Sequence, residues 1–192
     1  MINFTRRKIL QVAPLLGFAP RVAFGAELAP TRACADDDDI THANDEGPYF
    51  KPKSPERTSL MEAGITGNKL LLAGVVLTAA CKPIPGAILD FWQASNEGEY
   101  DNSGFSLRGH QSADSDGRFR LETVVPGLYP GRTRHIHVKV IVPGSTSLTT
   151  QLYFPGESRN ARDRLFDQAL MMAMAEDAGT KTGRFDFVLK TG

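Results

Sequence analysis

His135 and His137 stand two positions apart in the stretch RTRHIHVKV, and the chain has only four histidines. Ile136, Val138 and Val140 alternate with His135, His137 and Lys139, the period of a β-strand. The apolar set then faces a core. Both imidazoles share the other face, close enough to hold one metal ion. Imidazole suits zinc, copper, iron and nickel. The same alternation also fits a solvated polar face that runs on into Lys139. No Asp or Glu lies between Glu122 and Glu157, so no carboxylate stands near the pair in sequence. Tyrosine is the other oxygen donor, and the chain has Tyr49, Tyr100, Tyr129 and Tyr153. Tyr129 lies six residues before His135, just after a Pro-Gly turn. Phenolate is a hard anionic donor with precedent as an iron ligand. A bound cation lowers the pKa of such a group.

Positioning these residues takes a sheet. Residues 69–79 (KLLLAGVVLTA) form a nearly continuous apolar run, predicting a strand buried on both faces. Residues 87–93, 118–124, 133–142 and 149–154 predict further strands, each bounded by Pro-Gly or Asp-Gly turns. Phe185, Phe187 and Leu189 alternate in a final strand. Leu165, Ala169, Leu170, Ala173 and Met174 recur at helical spacing, predicting one helix over residues 160–178. The expected fold is mainly β: an antiparallel β-sandwich with long active-site loops and one C-terminal-region helix.

The 192 residues, 41% of them apolar, suit one core domain plus a tail. Zero net formal charge leaves no basic footprint for nucleic acid. Residues 1–35 read as an export and processing region. Arg6, Arg7 and Lys8 precede a short apolar run, a twin-arginine-like pattern too short to span a bilayer stably. Residues 36–45 read as an acidic linker and residues 46–192 as the folded domain. The expected location is periplasmic or secreted. Cys34 and Cys81 are the only cysteines, and an oxidising compartment would permit them to pair if Cys34 survives processing.

Pro126-Gly127-Leu128-Tyr129-Pro130 followed by Arg132-x-x-His135-Ile136-His137 resembles the intradiol ring-cleavage dioxygenases, whose best-known type is protocatechuate 3,4-dioxygenase. The likeness extends to Glu46-Gly47-Pro48-Tyr49-Phe50, to Asp90-Phe91-Trp92-Gln93-Ala94 with Gly98-Glu99-Tyr100, and to Thr150-Gln151-Leu152-Tyr153-Phe154. It runs from about Glu46 to Leu189, in family order, and is greatest for compact, exported, single-domain members. The resemblance implies one non-haem Fe(III) per chain, held by Tyr100, Tyr129, His135 and His137. It implies a catechol-type substrate and O₂ as co-substrate, with cleavage between the hydroxylated carbons to a muconate-type dicarboxylate. Arg132 matches the family's active-site arginine and Gln151 its pocket glutamine. Tyr129 would also take a substrate proton, and Gly47, Pro48 and Tyr49 would wall the pocket. One departure stands out. Only Pro130 and Gly131 separate Tyr129 from Arg132, where well-studied members carry a longer insert, so the ring substrate stays open. A homo-oligomer is compatible with the sequence.

Two other readings remain at this level. Gly74 to Leu77, Pro85-Gly86-Ala87, Asp116-Gly117-Arg118-Phe119 and Pro126-Gly127-Leu128-Tyr129 also resemble transthyretin-like or carboxypeptidase-regulatory sandwich modules, which are binding or structural domains. The histidine pair would equally serve a zinc or copper site.

Overall fold

The computed structural model describes residues 28–31, 39–145 and 147–190. Among the described residues nine strands form two sheets. They are β1 (Lys69–Thr78), β2 (Ile88–Trp92), β3 (Arg108–Ser112), β4 (Arg118–Val124), β5 (His135–Ile141), β6 (Leu148–Tyr153), β7 (Ala173–Asp177), β8 (Thr180–Arg184) and β9 (Phe187–Leu189). One sheet runs β4-β1-β8-β7, with β9 also on β1, and the other runs β3-β2-β5-β6. The core between them holds Leu70, Leu72 and Val76 of β1, Leu89 and Phe91 of β2, Phe119 and Leu121 of β4, and Ile136, Val138 and Val140 of β5. The expected sandwich is present. β1 alternates buried and half-buried residues along its length, so it is buried on one face, not on both as its apolar run suggested.

The second face of the β3-β2-β5-β6 sheet is polar, and register aligns its side chains in rows. Trp92 lies opposite both Arg108 and His137, and His137 lies opposite Gln151. Asp90 lies opposite His110 and Lys139, and His135 lies opposite Tyr153. Directly opposed residues of antiparallel strands share one face. Residues 44–57 run along this sheet, and Thr41 reaches β9 of the other one. Thr41 N–H donates to Val188 O at 2.9 Å, Asn44 N–H to Thr149 O at 2.9 Å, and Arg57 N–H to His110 O at 2.8 Å. Residues 41–45, expected within the linker, are thus tied to the sandwich.

The expected helix over residues 160–178 is absent. Two short 3-10 turns, Asn160–Arg162 and Gln168–Leu170, lead instead into β7. Asp163 Oδ1 accepts Leu165 N–H and Asp167 Oδ1 accepts Ala169 N–H, each at 2.9 Å, and such local bonds compete with a helical ladder. Leu170 and Met172 are buried and Met174 half-buried, a spacing of two. Leu170 and Met174 fit both periods and Met172 only the period of two, which strand pairing with β8 takes. The expected export signal falls almost wholly on residues 1–27 and 32–35, outside the described residues, as does Cys34. Cys81 is disulfide-bonded.

Candidate active site

His135 and His137 project from β5 onto the polar face with 4% and 2% of their surface exposed. His135 Nδ1–H donates to Thr133 O at 2.7 Å, because a carbonyl only accepts. That bond fixes the tautomer and leaves a lone pair on Nε2. His135 Nε2 lies 3.2 Å from His137 Nε2 and 3.3 Å from the Tyr100 hydroxyl. Burial pushes the His135 imidazole down to about 4, with the Arg132 charge adding to the shift. Burial, then the His135 and Arg132 neighbours, hold His137 well below its ordinary value. Trp92 stacks flat against the His137 ring, with centroids 4.8 Å apart. His137 Nδ1 is buried without a partner of good hydrogen-bond geometry.

Two loops bring the tyrosines to this pair. Gly127 N–H donates to Ser95 O at 2.7 Å, so the turn before Tyr129 lies on the loop before Tyr100. A Cβ on Gly127 would meet Gly98 N at 2.3 Å, and one on Gly98 (φ +87°) would meet Leu128 O at 2.5 Å. Only glycine allows backbones to approach so closely there. The loop after Tyr100, which contains Asn102, Ser103 and Gly104, is braced. The Asp101 carboxylate accepts N–H bonds from Gly104 (2.7 Å), Ser106 (2.9 Å) and Ser103 (2.9 Å). The Gly104 and Ser106 N–H groups hold that carboxyl below the usual carboxylate range. Buried Arg108 ties the loop to the opposite wall, its Nη2 donating to Asp101 O at 3.0 Å and its Nη1 to Tyr49 O at 2.5 Å.

Tyr49 stacks on Tyr100 with centroids 4.3 Å apart, and its hydroxyl is hydrogen-bonded to that of Tyr129 at 2.9 Å. That bond, then burial, raises the Tyr49 phenol. The Tyr100 and Tyr129 rings meet edge-on at 5.8 Å. Burial raises the Tyr100 phenol against the lowering charges of Arg132 and Arg108. Gly47 (φ +68°) sits over the edge of the His137 ring, where an added Cβ would lie 3.4 Å from Cε1. Pro48 is exposed beside it. Lys139, the third polar residue of the β5 face, pairs with the Glu46 carboxylate and lies 3.9 Å from the centre of the Phe50 ring. It therefore clamps both ends of the Glu46–Phe50 segment.

Arg132 Nη2 donates to Gln151 Oε1 at 2.6 Å, and Gln151 Nε2 donates to Asp45 O at 2.6 Å. The structure therefore gathers the nine residues singled out from sequence along one face, with Pro48 at its solvent edge. Sequence reasoning missed Arg108, Asp163 and the stacking role of Trp92. Arg108 sits in β3, whose sequence RGHQS shows no apolar alternation to mark it as a strand.

Among the described residues no three of His, Cys, Asp or Glu gather around one point. The oxygen donor at the histidine pair is a phenol. Two buried neutral imidazoles whose Nε2 atoms face each other, one of them also facing that phenol, fit a cation that would withdraw the phenolic proton.

A sequence model of the family described as Dioxygenase matches residues 45–191, nearly the whole sandwich. The chain belongs to the intradiol ring-cleavage dioxygenase family. This dioxygenase-family chain is similar to chlorocatechol 1,2-dioxygenase of Rhodococcus opacus, 28% identical over 142 residues, 58% of this chain and 55% of that protein. It is also similar to the protocatechuate 3,4-dioxygenase beta chain of Burkholderia cepacia, 31% identical over 118 residues, 52% of this chain and 50% of that one. The chain spans about half the length of the curated relatives it matches. Among solved structures it is similar to the dioxygenase domain of a dioxygenase–carbohydrate-binding protein fusion from Streptomyces sp. SirexAA-E. That match has a TM-score of 0.78 and 56% identity, and covers 80% of this chain and 100% of that domain.

Proposed function

We propose that this chain is an Fe(III)-dependent intradiol dioxygenase that inserts both atoms of O₂ into a catechol-type ring and opens it between the hydroxylated carbons. The observation that carries this reading is that His137 Nε2 and the Tyr100 hydroxyl both lie within 3.3 Å of His135 Nε2, beside the Arg132–Gln151 pair. Tyr100, Tyr129, His135 and His137 would hold the metal. Fe(III), when bound, would supply Lewis acidity that favours loss of the catechol protons, and the resulting catecholate is electron-rich enough to react with O₂.

The residues supply the rest. Tyr129 Oη takes a proton from the incoming catechol, acting as a general base. The Tyr49 hydroxyl, 2.9 Å away, is placed to hold the resulting phenol by a hydrogen bond. Arg132 presents positive charge to the anion that develops on the ring and oxygen. Gln151, fully buried and held at both ends, orients Arg132. Tyr49 and Gly47 form a wall close to the ligand atoms, which limits water there. The relatives' names point to different ring substituents, chlorocatechol and protocatechuate. Only Pro130 and Gly131 connect Tyr129 to Arg132, and we assign only the catechol class.

Metal analysis and oxygen uptake with a catechol panel test the reading. The expected outcome is one iron per chain, a red-brown protein, and ring-opened dicarboxylate formed with uptake of O₂. A colourless protein that takes up no iron would refute it, and zinc or copper in its place would favour the metal-binding alternative.

We further propose export of the chain. Arg6 and Arg7 support it, as does the disulfide at Cys81, since such bonds persist in oxidising compartments. Among the described residues no helix is long and apolar enough to cross a membrane. Replacing both arginines by lysine should leave the chain in the cytoplasmic fraction.

A further inference from the structure

Asp163 lies outside the ligand set, just past the 3-10 turn that follows β6, yet its side chain is only 2% exposed. A carboxylate so buried is costly unless its oxygens are fully paired. Oδ2 accepts the Arg132 Nε–H at 2.8 Å and the Thr133 N–H at 2.7 Å, and Oδ1 accepts the Leu165 N–H at 2.9 Å. Two of the three donors are backbone groups on different segments, so the carboxylate cannot rotate. Arg132 is then gripped at two edges of its planar fork, Nε by Asp163 and Nη2 by Gln151. Gln151 is itself fixed, its Oε1 lying 3.0 Å from the Tyr153 hydroxyl and its Nε2 donating to Asp45 O. Among the described residues Arg132 Nη1 has no hydrogen-bond partner.

We infer that Asp163 is a positioning residue for the reaction: it fixes the plane of the Arg132 guanidinium so that Nη1 is left for the bound ring or the oxygen attacking it. This rests on the catalytic role given to Arg132 above. A structural salt bridge that merely pins residues 160–165 against β5 would use the same contacts, so the test reads what that role would not move.

The first measurement uses the metal-free, ¹⁵N-labelled chain and is independent of catalysis. The Arg132 Nε–H should exchange slowly with solvent. In Asp163→Asn, where the charge-assisted bond is lost, exchange should quicken by about tenfold or more while β-sheet amides stay protected. Fast exchange in the parent chain overturns the inference. The second uses the iron-loaded protein. Asp163→Asn should lower kcat by about 10- to 100-fold, somewhat less than deleting an oxyanion donor outright, with KM and the visible absorption band unchanged. In an Arg132→Met background the same change should cost no further kcat. Arg132→Lys, which cannot reach both Asp163 and Gln151, should be as slow as Asp163→Asn. An equal further loss in the Arg132→Met background, or full activity in either Asp163→Asn or Arg132→Lys, overturns the inference. Iron binding without any catechol turnover in the parent chain would instead defeat the functional reading, and the exchange result would still decide whether Asp163 holds Arg132.

Discussion

Tyr129 differs from the other candidate ligands in having a second phenol at its hydroxyl, Tyr49 at 2.9 Å. Replacing it with Phe keeps the edge-on ring packing against Tyr100 and removes only the oxygen. If Tyr129 Oη accepts a catechol proton, Tyr129→Phe should lower kcat by about 10²- to 10⁴-fold, the usual contribution of a positioned base. The colour should shift, since one phenolate remains. Steady-state kinetics with a visible spectrum checks both, and unchanged kinetics would remove Tyr129 from the ligand set. At this scale the sequence was informative where chemistry and local period coincide. His135 and His137 could be placed on one face because Ile136, Val138 and Val140 occupy the other. Asp163 was not legible, because nothing within a few residues of it suggests a partner. Arg132 and Thr133 reach it only after β5 and the segment beyond β6 have docked.

The elements were readable in proportion to how clearly one face is apolar. β4 alternates cleanly as RFRLETV and is correctly placed from sequence. β3 and β7 are not, because RGHQS turns polar residues to the site and AMAED sits at a sheet edge. The same logic explains the missing helix, where Leu170 and Met174 satisfy a strand as well as a helix, and buried Met172 decides for the strand. The loops carry a sharper test. Gly127 and Gly98 let the Tyr100 and Tyr129 loops touch through backbone atoms that cannot yield as a side chain would. Gly127→Ala should force the loops apart, costing about 1–3 kcal/mol as overpacking does. Both phenols would move away from the histidine pair. The expected result is a lower thermal midpoint and a protein that retains less than about half of the parent's iron after desalting. Retention of full iron would show that the two loops adjust independently.

Taken whole, the molecule stabilises one polar face that is unfavourable on its own. Two neutral imidazoles are buried with their Nε2 atoms 3.2 Å apart, held by a single shared proton whose place a cation would take. A ligand that binds only the folded state stabilises it by mass action, so removing iron with a chelator should lower the thermal midpoint measurably. The iron-free chain should then show a second signature. His135 falls from its ordinary 6.5 to about 4, and His137 shifts the same way, so the unfolded chain binds protons that the folded chain refuses. Their neutral forms support the fold fully above about pH 6.5, and that support is lost as the pH falls towards about 4. Below that, both states carry the proton and the slope from His135 vanishes. A shift of this size is worth roughly 3 kcal/mol as an upper figure. Denaturant titrations of iron-free protein at stepped pH should show stability declining across that interval. His135→Gln should flatten the decline. A decline of equal slope in His135→Gln would assign it to other groups, and a flat profile in the parent chain would mean that the buried pair is already solvated.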